Sequence, residues 1–88
     1  MTNSLNIFTF LADGHTIKRV VDLVNMEAGL YYLDNHALIP EAVINQVLVS
    51  AIDGMVSENK AMWRDVGWAK TERLQQLTLL PESRYRLN

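Results

Sequence analysis

Residues 16–40 read TIKRVVDLVNMEAGLYYLDNHALIP, and the period assigned to their apolar positions decides the fold. At the helical period, Ile17, Val20, Val21 and Val24 fall at i, i+3, i+4 and i+7, with Lys18, Arg19, Asp22 and Asn25 on the other side. That spacing predicts an amphipathic helix over 16–25 entered at Thr16. Its β-branched side chains lower helix propensity, so packing must supply the stability. The chain then reverses near Asn25, and a second helix is expected at about 27–36. A hairpin is the open alternative for 30–39, with Tyr31 and Tyr32 on an edge strand before an Asp34-Asn35 turn.

Upstream, Ile7, Phe8, Phe10 and Leu11 stand at i, i+1, i+3 and i+4. They suggest a short helix capped by Ser4 and ended before Gly14, although Asp13-Gly14 could equally start a hairpin. Downstream, Pro40 at a first helical position opens an amphipathic helix over 41–56, a core or dimer element. Its stripe is Ile44, Val47, Leu48, Ala51, Ile52 and Met55, with Asn45, Gln46, Ser50 and Asp53 opposite. Ser57 can cap a basic C-terminal helix over 57–80, ended by Pro81 and seamed by Met62, Val66, Ala69, Leu77 and Leu80. Gly67 would be a weak or close-packing point in it. The expected fold is therefore mainly α: one domain, residues 1–88, of four or five helices, with a short β-hairpin near 30–39 as the variant.

With 88 residues there is room for one core and not two. Hydrophobic residues at 49% against 20% charged predict a packed domain rather than a disordered chain. The absence of cysteine excludes disulfides, thiolate zinc sites and a thiol nucleophile. Apolar runs are too short for a membrane helix, and LNIFTFLA at 5–12 lacks the basic flank of a secretion signal, so a cytoplasmic protein is expected. A core this small favours self-association, with a homodimer or higher homo-oligomer the natural outcome. Residues 1–59 hold two bases against seven acids, while 60–88 hold six bases against three acids. Such polarity suits antiparallel self-association or an anionic partner at the basic end.

The stretch from Thr16 to Met26, followed by Gly29-Leu30-Tyr31-Tyr32-Leu33-Asp34-Asn35-His36-Ala37-Leu38-Ile39-Pro40, resembles the helix-turn-helix of MerR-like regulators and phage excisionases. The shared pattern is an aromatic pair, a small residue, two aliphatics and a proline, met here by Tyr31, Tyr32, Ala37, Leu38, Ile39 and Pro40. The resemblance covers under a third of the chain. It implies a recognition helix in the major groove of duplex DNA, where Tyr31, Tyr32, Asn35 and His36 contact bases or phosphates and Lys18 and Arg19 the backbone. The pattern departs from the family in three ways. The turn is one residue shorter, the β-wing is missing, and Glu27 and Asp34 stand on the reading helix where Lys or Arg would neutralise phosphate.

The segment Trp63, Arg64, Trp68, Lys70 and Arg73 mixes aromatics with bases, the residue types that dominate protein interfaces. On a helix the two tryptophans would lie about 140° apart, one in the core and one at the surface. His15 and His36 have no ligand-like spacing, so no metal is expected, and no Gly-rich loop is present to cradle a phosphate. No nucleophile motif or paired carboxylates stand out, so no enzyme and no cofactor are expected. The sequence reading ranks a non-enzymatic adaptor or inhibitor of a partner protein first, using the Trp63–Arg73 segment. The helix-turn-helix DNA reader comes second. Small compact chains of this blend are frequent in phages and mobile elements.

Overall fold

A computed structural model describes residues 6–38 and 43–81. The elements in chain order are helix α1 (Ile7–Ala12), strands β1 (Ile17–Asp22), β2 (Glu27–Leu33) and β3 (His36–Ala37), helix α2 (Val43–Ser57), and strands β4 (Ala61–Trp68) and β5 (Glu72–Leu79). The five strands form one sheet in the order β3-β2-β1-β5-β4, antiparallel throughout. This overturns the mainly α expectation. Two helices lie on one face of a sheet, and the other face carries none of the described elements.

The period explains the correction. Residues 16–40 hold three strands instead of a helix-turn-helix, because Ile17, Val20 and Val21 suit a pleated surface better than a helix. The fourth member of the helical stripe, Val24, is 72% exposed in the β1–β2 turn. Local chemistry builds that turn. The Asp22 carboxylate accepts from the Val24 amide at 2.8 Å and from the Asn25 side-chain amide at 2.9 Å, and Met26 adopts a left-handed φ of 56°. The second turn falls at Asp34–Asn35, with Leu33 paired to His36 and Asp34 at a φ of 55°.

The 57–80 helix is likewise replaced, here by the β4–β5 hairpin. Ser57 closes α2 instead of opening a new helix, and its hydroxyl donates to the Gly54 carbonyl. Asn59 takes a left-handed φ of 62° while the Lys60 amide returns to the Met55 carbonyl at 2.9 Å, a Schellman-type stop. Beyond it, alternation governs, placing Ala61, Trp63, Leu77 and Leu79 on the helix-bearing face.

The core joins Ile7 of α1, Ile17, Tyr31 and Leu77 of the sheet, Leu48 and Ile52 of α2, and Ala61. Phe10, Leu33, Leu38, Met55, Val56 and Trp63 pack around it. In α2 the inward stripe is Leu48, Ile52, Met55 and Val56, while Val47 and Ala51 face out. The Ile44 side chain, and Ser4, Ile39 and Pro40, lie outside the described residues. At α1 the cap is Asn6, whose side chain accepts from the Thr9 amide at 3.0 Å, and Gly14 ends the turn at a φ of 97°. Among the described residues no helix is long and apolar enough to cross a membrane.

Candidate functional site at the β4 edge

Strand β4 lies at the edge of the sheet, and among the described residues no strand pairs with its outer side. The hydrogen-bond phase shows which backbone groups that leaves open. The Leu80 amide bonds the Lys60 carbonyl and the Ala69 amide bonds the Glu72 carbonyl, so those pairs face inward. In an antiparallel ladder the alternate residues then point away from the partner strand. Trp63, Asp65 and Trp68 therefore direct their N–H and C=O outward to an open edge, while Ala61, in the same phase, is covered within the core. Along the same strand Met62 is 42% exposed on the helix-free face, Val66 38% at the bulge and Trp68 68% on the helix-bearing face.

Edge strands of this kind invite pairing unless they are blunted. A bulge does part of the blunting here: the register shifts between Asp65 and Gly67 against Gln75 and Leu74, leaving Val66 as the extra residue. Gly67 fits there because a Cβ would stand 3.1 Å from the Cβ of Leu74. The bulge also reverses the alternation, so that Trp68 comes to lie opposite Arg73. Arg73 Nη1 donates to the Ala69 and Glu72 carbonyls at 2.8 and 3.0 Å, tying down the turn that carries exposed Lys70.

All five residues expected to bind a partner thus fall on one hairpin, but not on one surface. Trp63 is half-buried against the core, edge-on to Tyr31 with ring centroids 6.1 Å apart. Arg64 is exposed on the opposite, helix-free face. Trp68, Lys70 and Arg73 gather at the hairpin tip. Outside that set, a polar row runs across the strands beside Trp63. The Arg19 guanidinium lies 4.1 Å over the Trp63 ring, its Nε donates to Gln75 Oε1 at 2.9 Å, and Gln75 Nε2 donates to Asp65 Oδ1 at 2.9 Å. Gln75 and Asp65 escaped the sequence reading because a helical period sets them apart, whereas strand pairing puts them directly opposite each other.

The six residues of the DNA-binding alternative divide by strand parity. Arg19 and Tyr31 are paired on the helix-bearing face, while Lys18 and Tyr32 are paired on the helix-free face. Lys18, Tyr32 and Asn35 line a shallow depression of about 270 Å³ floored by Val20 and Leu74, and His36 is exposed on β3. Asp34 also borders this depression. Its carboxylate accepts from the Thr16 amide at 2.9 Å and lies 3.0 Å from His15 Nδ1. The Thr16 amide, aided to a smaller degree by the His15 ring, holds the Asp34 carboxyl below its ordinary value. No recognition helix presents these groups to a groove, and among the described residues no cluster of His, Asp and Glu is arranged to hold a metal ion. Comparison with family models, curated proteins and solved structures found no match to this chain.

Proposed function

We propose that this chain is a small binding protein without chemistry of its own, which regulates a partner protein by taking an extended segment of it onto the open side of β4. The observation that carries this reading is the coincidence, on one edge strand, of outward backbone groups with exposed Met62, Val66 and Trp68. Backbone hydrogen bonds would supply affinity, and alternate side chains specificity. Trp68 is the anchor, because exposed tryptophan is the residue type that most often dominates an interface. Lys70 and Arg73 set a basic rim around it at the hairpin tip, while Arg64 adds a base on the opposite face of the strand.

A second copy fits this edge less well than a different protein. A two-fold axis centred on β4 sets either Arg64 or Asp65 against its own copy, and like charges directly opposite are destabilising. A homodimer, if formed, would use another face. We place the protein in the cytoplasm, where a cysteine-free chain has no need of an oxidising compartment. An origin in a phage or mobile element remains part of the proposal on compositional grounds alone.

The test is affinity capture with the wild-type chain, Trp68→Ala and Val66→Lys, with circular dichroism checking that each is folded. A partner held by wild type and lost by both variants is the expected result. Capture that survives both substitutions would sink the reading. Fluorescence anisotropy against duplex DNA at about 50 and 200 mM salt covers the other class, since phosphate contacts weaken steeply over that range. Flat traces are expected, and salt-sensitive binding would replace the protein partner with DNA.

A further inference from the structure

Arg19 stands in an unusual position for an arginine. It is half-buried in a central strand, yet among the described residues no carboxylate lies within ion-pair reach of it. Buried and half-buried charges are ordinarily paired, because a guanidinium taken partly out of water loses solvation that a bare aromatic face only partly restores. Three side chains hold this one in a defined pose. Trp63 lies beneath its plane, Gln75 accepts from Nε, and Asp65 fixes Gln75 from the far side. Asp65 thus reaches Arg19 only through a neutral amide. The Nη1 and Nη2 edge of the guanidinium keeps its donors without a partner among the described residues, and that edge is the one that matches a carboxylate in a two-point fork.

We propose that Arg19 is a carboxylate-binding site, and that its ligand is an Asp or Glu side chain in the stretch of partner that continues from the segment bound at β4. The inference rests on the protein-binding reading for the source of the carboxylate. The register supports the placement. Arg19 pairs with Gln75, and one row further along the same face Val21 pairs with Arg73, which pairs with Trp68. With neighbouring strands about 4.8 Å apart and rows on one face about 7 Å apart, Arg19 lies two strands inboard of the Trp68 anchor and one row away, or roughly 12 Å. A segment paired to the outer side of β4 runs along that edge, so it is the stretch of partner continuing past Trp68 that turns over the sheet, crosses β5 and arrives over Arg19. A nucleic-acid strand is the poorer occupant. Trp63, the aromatic beside the site, already has its face covered by Arg19 and offers no stacking platform for a base.

The test is an NMR titration of the full chain, following the Arg19 Nε–Hε and Trp63 indole resonances. The probes are hexaglutamate with an amidated C-terminus and, separately, ten-residue oligothymidylate. Hexaglutamate should shift both resonances, and Arg19→Gln should weaken its binding by at least about tenfold, the loss expected for a charge-assisted fork. Arg19→Lys keeps the charge but not the planar fork, so it should weaken binding nearly as much. Lys60→Gln, on an exposed lysine that pairs with Glu58, should leave it unchanged. Shifts from oligothymidylate and none from hexaglutamate would overturn the proposal in favour of a phosphate ligand. No shift at Arg19 with either probe would overturn it outright, and because that measurement uses the wild-type chain it does not depend on any variant folding. Should Trp68→Ala abolish partner capture while Arg19→Gln and Arg19→Lys retain it, the carboxylate site is wrong and the β4 reading stands. Should hexaglutamate bind at Arg19 although Trp68→Ala retains the partner, the site is supported and the β4 reading is the one that fails.

Discussion

Asp34 shows how much of this fold hangs on single side chains. Its amide donates to the Thr16 carbonyl at 2.8 Å, while its carboxylate accepts from the Thr16 amide and meets the His15 ring. One residue in a left-handed turn therefore ties the β2–β3 hairpin to the start of β1. Asp34→Ala should destabilise the domain, read as a lower urea midpoint at unchanged slope, as the loss of other side-chain caps does. An unchanged midpoint would remove the tie. Asp22 plays the matching part in the β1–β2 turn, where the Val24 amide, then the Asn25 side chain and amide, hold its carboxyl low. Both carboxyls lie below their unfolded values, so their contribution to stability is complete above the ordinary carboxylate pKa of about 3.9 and is lost as pH falls through the lower folded values. Urea midpoints measured from pH 6 downward should drop first in that acid window, and Asp22→Asn with Asp34→Asn should flatten the drop. Turn-forming residues of this sort are legible in a sequence. Asp34-Asn35 was among the alternatives, because the preference for Asp and Asn in turns is local chemistry.

At the scale of elements, β4 was the least legible stretch. Its residues 61–68 place apolar side chains at 61, 62, 63, 66 and 68, which fits neither period cleanly, because the bulge at Val66 breaks the alternation midway. Gly67→Ala tests that geometry. The new methyl would crowd Leu74 and should cost about 1 kcal/mol, since overpacking outweighs the entropy a strand glycine gives up; a more stable variant would mean that Leu74 moves aside freely. Hydrogen exchange tests the edge itself. The amides of Met62 and Arg64 face β5 and should be protected, whereas those of Trp63 and Asp65 face outward and should exchange much faster, until a bound partner segment slows them. Protection of all four in the free chain would show that something already covers the edge. Helix α2 behaved differently: the sequence placed an amphipathic helix at 41–56, and α2 runs Val43–Ser57, but its inward stripe, while keeping Leu48, Ile52 and Met55, takes in Val49 and Val56 and leaves Val47 exposed. The position of the stripe depends on where the sheet stands, which no helix can specify alone.

Across the whole molecule, the two tryptophans separate stability from binding. Trp63 joins the core, Arg19 and Tyr31, so Trp63→Ala should cost about 2–4 kcal/mol, somewhat under the range for fully buried large aromatics. Trp68→Ala should leave the melting temperature within about 2 °C, a surface substitution by comparison. Calorimetry on the pair checks both, and a destabilised Trp68→Ala would make that side chain structural. The charge asymmetry along the chain carries over into the sheet at this scale. Strands β3, β2 and β1 from the acidic half stand together, β5 and β4 from the basic third stand together, and the two groups meet at the β1–β5 pair.

By itself the sequence determined what local chemistry decides: one small cysteine-free domain, a chain reversal near Asn25, a turn at Asp34-Asn35 as one of two readings, the end of a helix near Ser57, and tryptophans divided between core and surface. Only the tertiary structure decided the period. Ile17, Val20 and Val21 satisfy a helix and a strand alike, and the choice was made by β5, whose residues 72–76 pair with β1 from 50 or more positions away. The same distant pairing set Gln75 between Arg19 and Asp65, because a hydrogen-bonded neighbour in a sheet is chosen by topology and not by sequence spacing.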